Sequence, residues 1–528
     1  MRVIGMSANL EYKPLDNIGM NGLNLQANPA ALDPSWLTQA DNIVLRESGR
    51  ISFRKGLKQN VLKTTAKIGA ISEIDDTGVI LAAVGTNMYT VDFTTPDAPW
   101  TLAFATGGSA SDWQMIPFNN EMYCVQSGHA VIEYDDSGTS PFWTLLTGTA
   151  GYSAPAGVTT FNPSCGMGFY GRLWFGGITE EPDVVYYSDT LNGHIWATGA
   201  AGAIDLKTVW GSDTIVAIQP FYGKLVIFGK HNIVIYNGPA DPDTMTLDEV
   251  IRGIGCASRD SVQAVGDDLY FLSDTGVRSL SRTTEKDNIP LQDLSLTIKD
   301  TITRNISQST NAKAVYVENE GTYILSFVDL NVTYIFDIKH ETPSGTPRIT
   351  TWTFDTTRVP SSFAYTESKD LLIGQAGGSI ATYEGYYDKD YVSGGTYTSA
   401  SYTGTFKTTW LDLGQGAVAS LLKKLKAVIS GGSGTTIGIK WYKDFAMEPS
   451  KTTNFLLNPG STGTLALFGA STSLYGTSKY TPIYGMKEYN MPLTGSAKHL
   501  QIEMSGETAG FTASLQDMTL LYKQGKIR

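Results

Sequence analysis

Residues Lys224-Leu-Val-Ile-Phe-Gly229 form a short apolar run that is followed by a tight turn and a second apolar run. The same pattern occurs seven times, with first runs that begin about 42 to 54 residues apart. A period of this length with several strands per unit is typical of β-propeller blades. The seven runs lie at residues 79–84, 121–126, 172–176, 224–229, 268–273, 322–328 and 370–374.

The pattern therefore predicts an all-β protein with a β-propeller of about seven blades over residues 65–393. Six blades is the alternative, if the first repeat belongs to the N-terminal region. No single repeat could bury both of its faces, so we expect the repeats to close into a ring.

Outside the repeats, the sequence predicts an N-terminal segment over 1–64 and a C-terminal β-sandwich over 394–528. Within the first segment, residues 28–41 favour a short helical turn and residues 42–53 a hairpin. The basic cluster Lys423-Lys424-Leu-Lys426 predicts a solvated strand edge.

Two insertions interrupt the blades, at 138–164 and 287–310. The first is rich in Thr, Gly, Ala and Pro and favours a long loop or an extended hairpin. The second carries Leu294, Ile298, Ile302 and Ile306 at steps of four, which predicts a helix with one apolar face. We expect this face to pack on the propeller rim, with subunit contact as the alternative role.

The composition limits the possible functions. The chain has 528 residues and a net charge of −12, which disfavours tight electrostatic binding of nucleic acid. Its three cysteines (Cys124, Cys165 and Cys256) are widely spaced and predict buried, reduced thiols. The N-terminus lacks the apolar core of a secretory signal, and no apolar run is long enough to predict a membrane span.

Motifs for catalysis or metal binding do not emerge from the sequence. The five histidines (129, 194, 231, 340 and 499) lack metal-ligand spacing, and GxSxG, Walker and GxGxxG motifs do not occur. We therefore assign no catalytic, cofactor-binding or metal-ligating residues and expect a protein that is not an enzyme. The stretch Tyr187-Ser-Asp-Thr-Leu-Asn-Gly-His-Ile-Trp196 loosely resembles the Asp box of sialidases. A sialidase-like glycan hydrolase is therefore the least favoured of the alternatives.

Several longer stretches resemble propeller proteins of tailed-bacteriophage virions, in particular the tail nozzle (tail tubular protein B-like) proteins of short-tailed phages. They fall in two regions, near residues 20–60 and 165–300. The stretches are Gly22-Leu-Asn24, Ala40-Asp-Asn-Ile43, Arg54-Lys-Gly56, Gly168-Phe-Tyr-Gly-Arg-Leu-Trp-Phe175, Gly253-Ile-Gly-Cys-Ala-Ser-Arg-Asp-Ser-Val-Gln263 and Gly266-Asp-Asp-Leu-Tyr-Phe-Leu-Ser-Asp-Thr-Gly-Val277.

The resemblance implies a structural protein of the virion tail that forms a hexamer under an adaptor ring, assembled in the cytoplasm of the bacterial host. Tail fibres or spikes are further partners that it suggests. Genomic DNA would pass through the central channel without specific binding. The alternative from another functional class is a receptor- or fibre-binding tail protein whose C-terminal sandwich recognises a glycan or another tail subunit.

Overall fold

Seven antiparallel sheets follow one another through residues 68–383 in the computed structural model of the chain. The structure describes residues 10–46, 50–59, 64, 66–74, 79–92, 100–106, 112–135, 142–281, 293–309, 311–393, 395–413, 418–432, 435–457, 484–508, 510 and 512–524. The start of each predicted insertion, residues 138–141 and 287–292, lies outside these ranges.

In the described part of the N-terminal region, six short strands precede the repeats. They are Leu10–Pro14 (β1), Gly22–Leu23 (β2), Trp36–Asp41 (β3), Ile43–Leu45 (β4), Ile51–Phe53 (β5) and Leu57–Gln59 (β6). The hairpin predicted at 42–53 is confirmed, because β4 pairs with β5 in antiparallel register. The helical turn predicted at 28–41 is wrong for its second half, where β3 lies between β2 and a C-terminal strand and buries Leu37 and Ala40.

Repeats 1 to 4 are four-stranded blades in which each strand pairs with the next along the chain. Repeat 1 comprises Ile68–Ile74 (β7), Val79–Val84 (β8), Asn87–Asp92 (β9) and Thr101–Ala105 (β10). Repeat 2 comprises Gln114–Phe118 (β11), Glu121–Val125 (β12), Ile132–Asp135 (β13) and Phe142–Leu145 (β14). Repeat 3 comprises Cys165–Phe169 (β15), Arg172–Gly176 (β16), Val184–Tyr187 (β17) and Gly202–Asp205 (β18). Repeat 4 comprises Ile215–Phe221 (β19), Lys224–Gly229 (β20), Asn232–Asn237 (β21) and Thr246–Arg252 (β22). A short helix, Lys207–Trp210 (α1), joins repeats 3 and 4.

Repeats 5 to 7 are less regular. Repeat 5 has three strands among the described residues, Gln263–Val265 (β23), Asp268–Ser273 (β24) and Gly276–Ser279 (β25), followed by the helix Lys299–Gln308 (α2). Repeat 6 comprises Ala312–Val317 (β26), Thr322–Phe327 (β27), Val332–Glu341 (β28) and Pro347–Trp352 (β29). Repeat 7 comprises Pro360–Tyr365 (β30), Leu371–Gln375 (β31) and Ile380–Tyr383 (β32), and takes its fourth strand from β6.

The β-propeller predicted from the sequence is confirmed, and each of the seven predicted runs forms the second strand of a sheet. Six of the sheets are full four-stranded blades, which is the alternative count given above. The reason differs from the one expected, however, because repeat 1 is a full blade, while repeat 5 has three strands within the residues that the structure describes. The first strands of repeats 1 and 7 contact each other, so the ring closes there.

The N-terminal segment performs this closure. Strand β6 pairs antiparallel with β32, and Gln59 Nε2 donates a hydrogen bond of 3.0 Å to Gln375 Oε1 across the join. Blade 7 is thus built from both ends of the propeller sequence, and its outer backbone groups are paired. The boundary predicted at residue 64 therefore falls between two strands that serve the same propeller.

The C-terminal β-sandwich consists of two sheets that share one apolar core. Its strands are Thr403–Thr408 (β35), Leu411–Asp412 (β36), Ser420–Gly432 (β37), Thr436–Lys443 (β38), Lys451–Leu456 (β39), Tyr484–Pro492 (β40), Ser496–Ala497 (β41), His499–Glu507 (β42) and Ala513–Lys523 (β43). A hairpin of Asp388–Ser393 (β33) and Thr396–Ala400 (β34) links it to blade 7 through β6.

The N-terminal strands also complete both sheets of the sandwich. One sheet contains β1, β4 and β5, while the other continues from blade 6 through β2 and β3 into β35. Strands β1 to β6 therefore connect the propeller to the sandwich. The lysine cluster of residues 423–426 lies on β37, which pairs with β40 and β43 on its two sides, so the prediction of a strand edge is wrong.

A buried arginine joins the three regions. Arg54 is 0 % exposed, its Nε donates to Asn42 Oδ1 (2.9 Å), and its Nη1 lies 3.6 Å from Asp388 Oδ1. Its guanidinium carbon is 4.0 Å from the ring centroid of Tyr402 and 4.8 Å from that of Phe354. Cation–π and charged hydrogen bonds thus connect the N-terminal segment, the end of blade 6 and the start of the sandwich through one side chain.

The second insertion contains a helix, α2, that is shorter than predicted: it begins at Lys299, after a 3₁₀ turn at Leu296–Ile298, and Leu294 precedes both. Leu294, Ile298 and Ile302 are buried, and Ile306 packs against the same core from a partly exposed position. Helix α2 contacts β25, so the prediction that its apolar face packs on the propeller rim is confirmed. Part of the first insertion is instead β14, the outer strand of blade 2.

The cysteines are free and buried, as predicted. Burial raises the pKa of Cys165 and of Cys256 to about 12, and it raises that of Cys124 further. All three thiols therefore remain protonated at neutral pH and act as small apolar groups. Within the described residues, no helix combines the length and the apolar character that crossing a membrane demands.

Gly56, two residues after Arg54, provides a test of the joint around Arg54, where the N-terminal segment meets the propeller and the sandwich. A Cβ added at Gly56 would lie 2.0 Å from the carbonyl oxygen of Tyr387, a backbone atom that cannot move aside on its own. We expect Gly56→Ala to lower the free energy of unfolding by about 2 kcal/mol, measured by urea titration. The control Gly148→Ala, whose added Cβ would lie 3.6 Å from its nearest neighbour, changes stability by less than about 0.5 kcal/mol. Equal losses of unfolding free energy in Gly56→Ala and Gly148→Ala would contradict tight packing at this joint.

Candidate functional site

A group of charged side chains lies at the axis of the propeller. First strands from repeats 1, 2, 4, 5, 6 and 7 line an axial cavity of about 170 Å³. Small molecules bind at the axis of many propellers, so this cavity is the first place to look for chemistry.

Three charged side chains, Arg259, Asp260 and Lys313, line this cavity, and the more exposed Asp112 pairs with Lys313 beside it. Arg259 forms two hydrogen bonds with the carboxylate of Asp260, both of 2.9 Å. Lys313 Nζ contacts the carboxylates of both Asp260 and Asp112. Arg259 also donates to the carbonyl oxygens of Ser164 (2.8 Å) and Asp112 (3.1 Å). The network therefore ties repeats 2, 3, 5 and 6 together across the axis.

The electrostatics of this network keep the acid ionised. Burial by itself would raise the pKa of Asp260, but the charges of Arg259 and Lys313 and their hydrogen bonds outweigh it, so the pKa lies well below its usual value. A carboxylate held in this way is a poor general base, since its protonated form is inaccessible near neutral pH. The arrangement acts as a cross-link between blades.

The sequence analysis did not single out this network. Its members come from positions up to 201 residues apart, because Asp112 and Lys313 meet only when the ring closes. The one local signal was Arg259-Asp260 inside the stretch that carries the resemblance to virion propellers.

Replacing one acid tests the cross-link. We expect Asp260→Asn to cost about 3 kcal/mol of unfolding free energy at pH 7, because Arg259 and Lys313 then lack their shared carboxylate. The pKa of Asp260 is lower in the folded than in the unfolded chain, so its contribution is full above the unfolded value of about 4 and disappears as the pH falls below it.

The exposed pair of Lys224 and Asp248 (2.6 Å) supplies the control. Asp248→Asn should cost less than about 1 kcal/mol in the same denaturant titration. A loss at Asp260 that is no larger than the loss at Asp248 would contradict the cross-link.

A second cluster joins repeats 2 and 3. His194 Nε2 lies 2.8 Å from Glu133 Oε1, Thr149 donates to Glu133 Oε2 (2.8 Å), and Tyr123 donates to Glu121 (2.5 Å). Ligand atoms of Glu121, Glu133 and His194 lie within 4.8 Å of one another, so these three residues could hold a metal ion. The hydrogen bond to Glu133 raises the pKa of His194, which favours an ion pair within the cluster.

The segment that resembles an Asp box has a structural role at its aspartate. Asp189 Oδ1 accepts hydrogen bonds from the backbone N–H groups of Thr190 (2.8 Å) and Ala200 (3.0 Å). Trp196 stacks on Phe175 with ring centroids 4.8 Å apart. These contacts fix the loop onto blade 3.

Exposed aromatic residues mark one face of the propeller. Tyr170 lies at the turn between β15 and β16 and is 50 % exposed. Tyr222 lies at the equivalent turn of repeat 4 and is 66 % exposed. Both have positive φ, 49° and 47°, and each precedes a glycine that also has positive φ. Leu191, 62 % exposed, lies beside the first turn, and its backbone N–H donates to Gly171 O (2.7 Å).

These tyrosines occupy turns that favour other residues. Turns with positive φ at both central positions favour Asn-Gly, and repeat 2 uses Asn119-Asn120 at the corresponding place. A bulky residue in this conformation costs of order 1 kcal/mol. The Phe-Tyr-Gly sequence occurs at both 169–171 and 221–223, and this was a signal that the sequence analysis did not use. We name Tyr170, Leu191 and Tyr222 the tip patch.

Comparisons with known proteins found the fold alone. No protein-family model and no curated protein matches the chain. Among solved structures, the WD40 β-propeller domain of Doa1 aligns with a TM-score of 0.39 and 8 % identity over 62 % of this chain and 96 % of its own. Streptogramin B lyase aligns with a TM-score of 0.41 and 12 % identity, over 62 % of this chain and 97 % of its own. The WD40 domain of Neurospora crassa Pan2 aligns with a TM-score of 0.38 and 8 % identity, over 62 % of this chain and 91 % of its own.

Proposed function

We propose that this chain is a structural protein of a bacteriophage virion, a tail nozzle that forms a hexameric ring around the DNA exit channel. It is not an enzyme in this proposal. Its partners are an adaptor ring, tail fibres or spikes, and the genomic DNA that passes without specific binding. Its place is the virion tail, after assembly in the cytoplasm of the bacterial host.

The position of the residues that carry the resemblance supports this proposal most directly. Asn42, Arg54 and Gly56 lie at the joint between propeller and sandwich, and Arg259 lies in the cross-link at the axis. Residues used to join blades and domains suit a protein that must keep its shape under load.

The charge network at the axis fits the same role. Arg259, Asp260 and Lys313 bridge the centre of the propeller, so in this proposal DNA runs between the six subunits and not through any one propeller. The net charge of −12 suits a wall along which DNA moves without sticking.

The tip patch supplies a surface for assembly. Apolar groups held in the solvent at a conformational cost are typical of interaction sites. Gly223 lies beside the first turn, since a Cβ added there would be 3.2 Å from the Tyr170 hydroxyl, so the tips of repeats 3 and 4 form one continuous surface. In this proposal, a neighbouring copy of this chain packs against the tip patch. Tyrosine rings also stack on sugars, which favours the receptor-binding protein as the second candidate.

Electron microscopy of the virion that carries this chain is the direct test. The nozzle proposal expects six copies around the tail axis, on the path of the DNA. A reconstruction that places the chain in the capsid shell or at the tip of a fibre would overturn it.

A double variant separates the role of the tip patch in assembly from any role in folding. Tyr170→Asn with Tyr222→Asn introduces the residue type that repeat 2 already has in this turn, so unfolding free energy should change by less than about 0.5 kcal/mol. We expect virions made with this variant to lack the chain, as measured by quantitative mass spectrometry of purified particles.

The matched control is Leu102→Asn, which removes an apolar side chain, 56 % exposed, from the outer strand of blade 1. It should be incorporated normally. If the double variant is incorporated at the wild-type level but the particles no longer adsorb to cells, the receptor-binding candidate is favoured. Normal incorporation with normal adsorption would show that the tip patch serves neither role.

A further inference from the structure

A basic cleft lies where the N-terminal hairpin faces blade 6. It encloses about 520 Å³ between β4 and the strands β27, β28 and β29. Two carboxylates, Glu320 and Asp337, are present against five basic side chains. The basic residues are Arg46, Arg50, Lys55, Lys339 and Arg348. In a chain with a net charge of −12, this local excess of positive charge is unusual and predicts an anionic ligand.

Arg348 is the residue that most requires an explanation. It lines the cleft and is 6 % exposed, and its Nε and Nη1 atoms make no hydrogen bond with any residue that the structure describes. Burial lowers the pKa of this guanidinium, in keeping with a cation that has too few partners. A buried charged donor without an acceptor is costly, so such groups commonly mark a site that an ion or ligand fills.

The neighbouring acid does not satisfy Arg348. Asp337 lies directly opposite it in the antiparallel register of β28 and β29. However, Asp337 Oδ1 accepts from the backbone N–H of Lys339 (3.1 Å), and its Oδ2 lies 3.2 Å from His340 Nδ1. The carboxylate is therefore turned towards its own strand, where it already has two partners.

The two lysines of the cleft already have partners in the protein. Lys55 Nζ pairs with Glu320 (2.7 Å), and Lys339 Nζ donates to the carbonyl oxygen of Asn319 (2.9 Å). Each ammonium keeps further N–H donors for a ligand. Arg46 and Arg50 lie at the exposed end of the cleft, joined by the backbone hydrogen bond from Arg46 N to Arg50 O (2.9 Å).

We propose that this cleft binds a small, multiply charged oxyanion, with Arg348 as the buried anchor and Arg46 and Arg50 at the entrance. Carboxylate and phosphate share the planar or near-planar pairs of oxygens that a guanidinium recognises. The volume suits a ligand of a few oxyanion groups and excludes a long polymer. The proposal is independent of the tail function, since it concerns one chain alone.

Isothermal titration calorimetry of the full chain with inorganic phosphate, pyrophosphate and citrate tests the site. We expect at least one probe to bind, and the affinity to fall as salt is added. The comparison of citrate with pyrophosphate distinguishes a carboxylate ligand from a phosphate ligand, and either result supports the site. Absence of binding by all three probes at low salt would overturn the proposal.

The variant Arg348→Met separates binding from folding. It removes a cation whose Nε and Nη1 have no acceptor within the described part of the chain, so stability should be unchanged or slightly higher, while affinity for the best probe falls more than about tenfold. The control Arg304→Met removes an exposed arginine on α2 and should leave the affinity unchanged. Equal affinity in Arg348→Met and the wild type would contradict the site. So would a large loss of stability in Arg348→Met, which would show that the arginine serves the fold.

Discussion

The contact between Arg54 and its aromatic and acidic neighbours is the constraint on which the architecture depends. A fully buried guanidinium is tolerated only where charge and π-electrons surround it, and here Tyr402, Phe354 and Asp388 do so. These partners come from the sandwich, the end of blade 6 and the strand after blade 7. The site can form only when all three regions are in place, so it couples their folding.

The N-terminal segment makes this coupling possible. It contributes β6 to blade 7, and it contributes β1, β4 and β5 to one sandwich sheet and β2 and β3 to the other. Later strands of the chain thus pair with the N-terminal segment in two places, in blade 7, where the ring closes, and in the sandwich. A propeller closed in this way cannot lose one end without exposing an edge.

Local patterns predicted the elements, and contacts distant in sequence decided the rest. The apolar runs such as 224–229, the hairpin at 42–53 and the helix that carries Ile302 and Ile306 were predictable because their signals lie within a few residues. Strand β3 was missed because its partners, β2 and β35, override a weak helical preference. The lysines of β37 indicated a solvent-facing side of a strand, but sequence could not show that β40 and β43 cover both of its edges.

The charge clusters were harder to predict from the sequence than the strands and helices. His194 meets Glu133 across 61 positions, and Lys313 meets Asp112 across 201. In the sequence these residues stand as isolated charges, because spacing motifs identify a cluster only when its members lie on one element. The repeated Phe-Tyr-Gly turns were visible in the sequence, yet their exposure and positive φ became evident only in the structure.

Hydrogen exchange measured by mass spectrometry at increasing denaturant tests the central coupling most directly, with the wild type compared with Arg54→Met. The account predicts that in the wild type β6, β32 and the sandwich strand β35 lose protection together. In the variant, Asp388 loses the Arg54 charge, and the sandwich should open at lower denaturant than the propeller. Separate unfolding of propeller and sandwich in the wild type, unchanged in the variant, would contradict the claim that one buried arginine makes them a single unit.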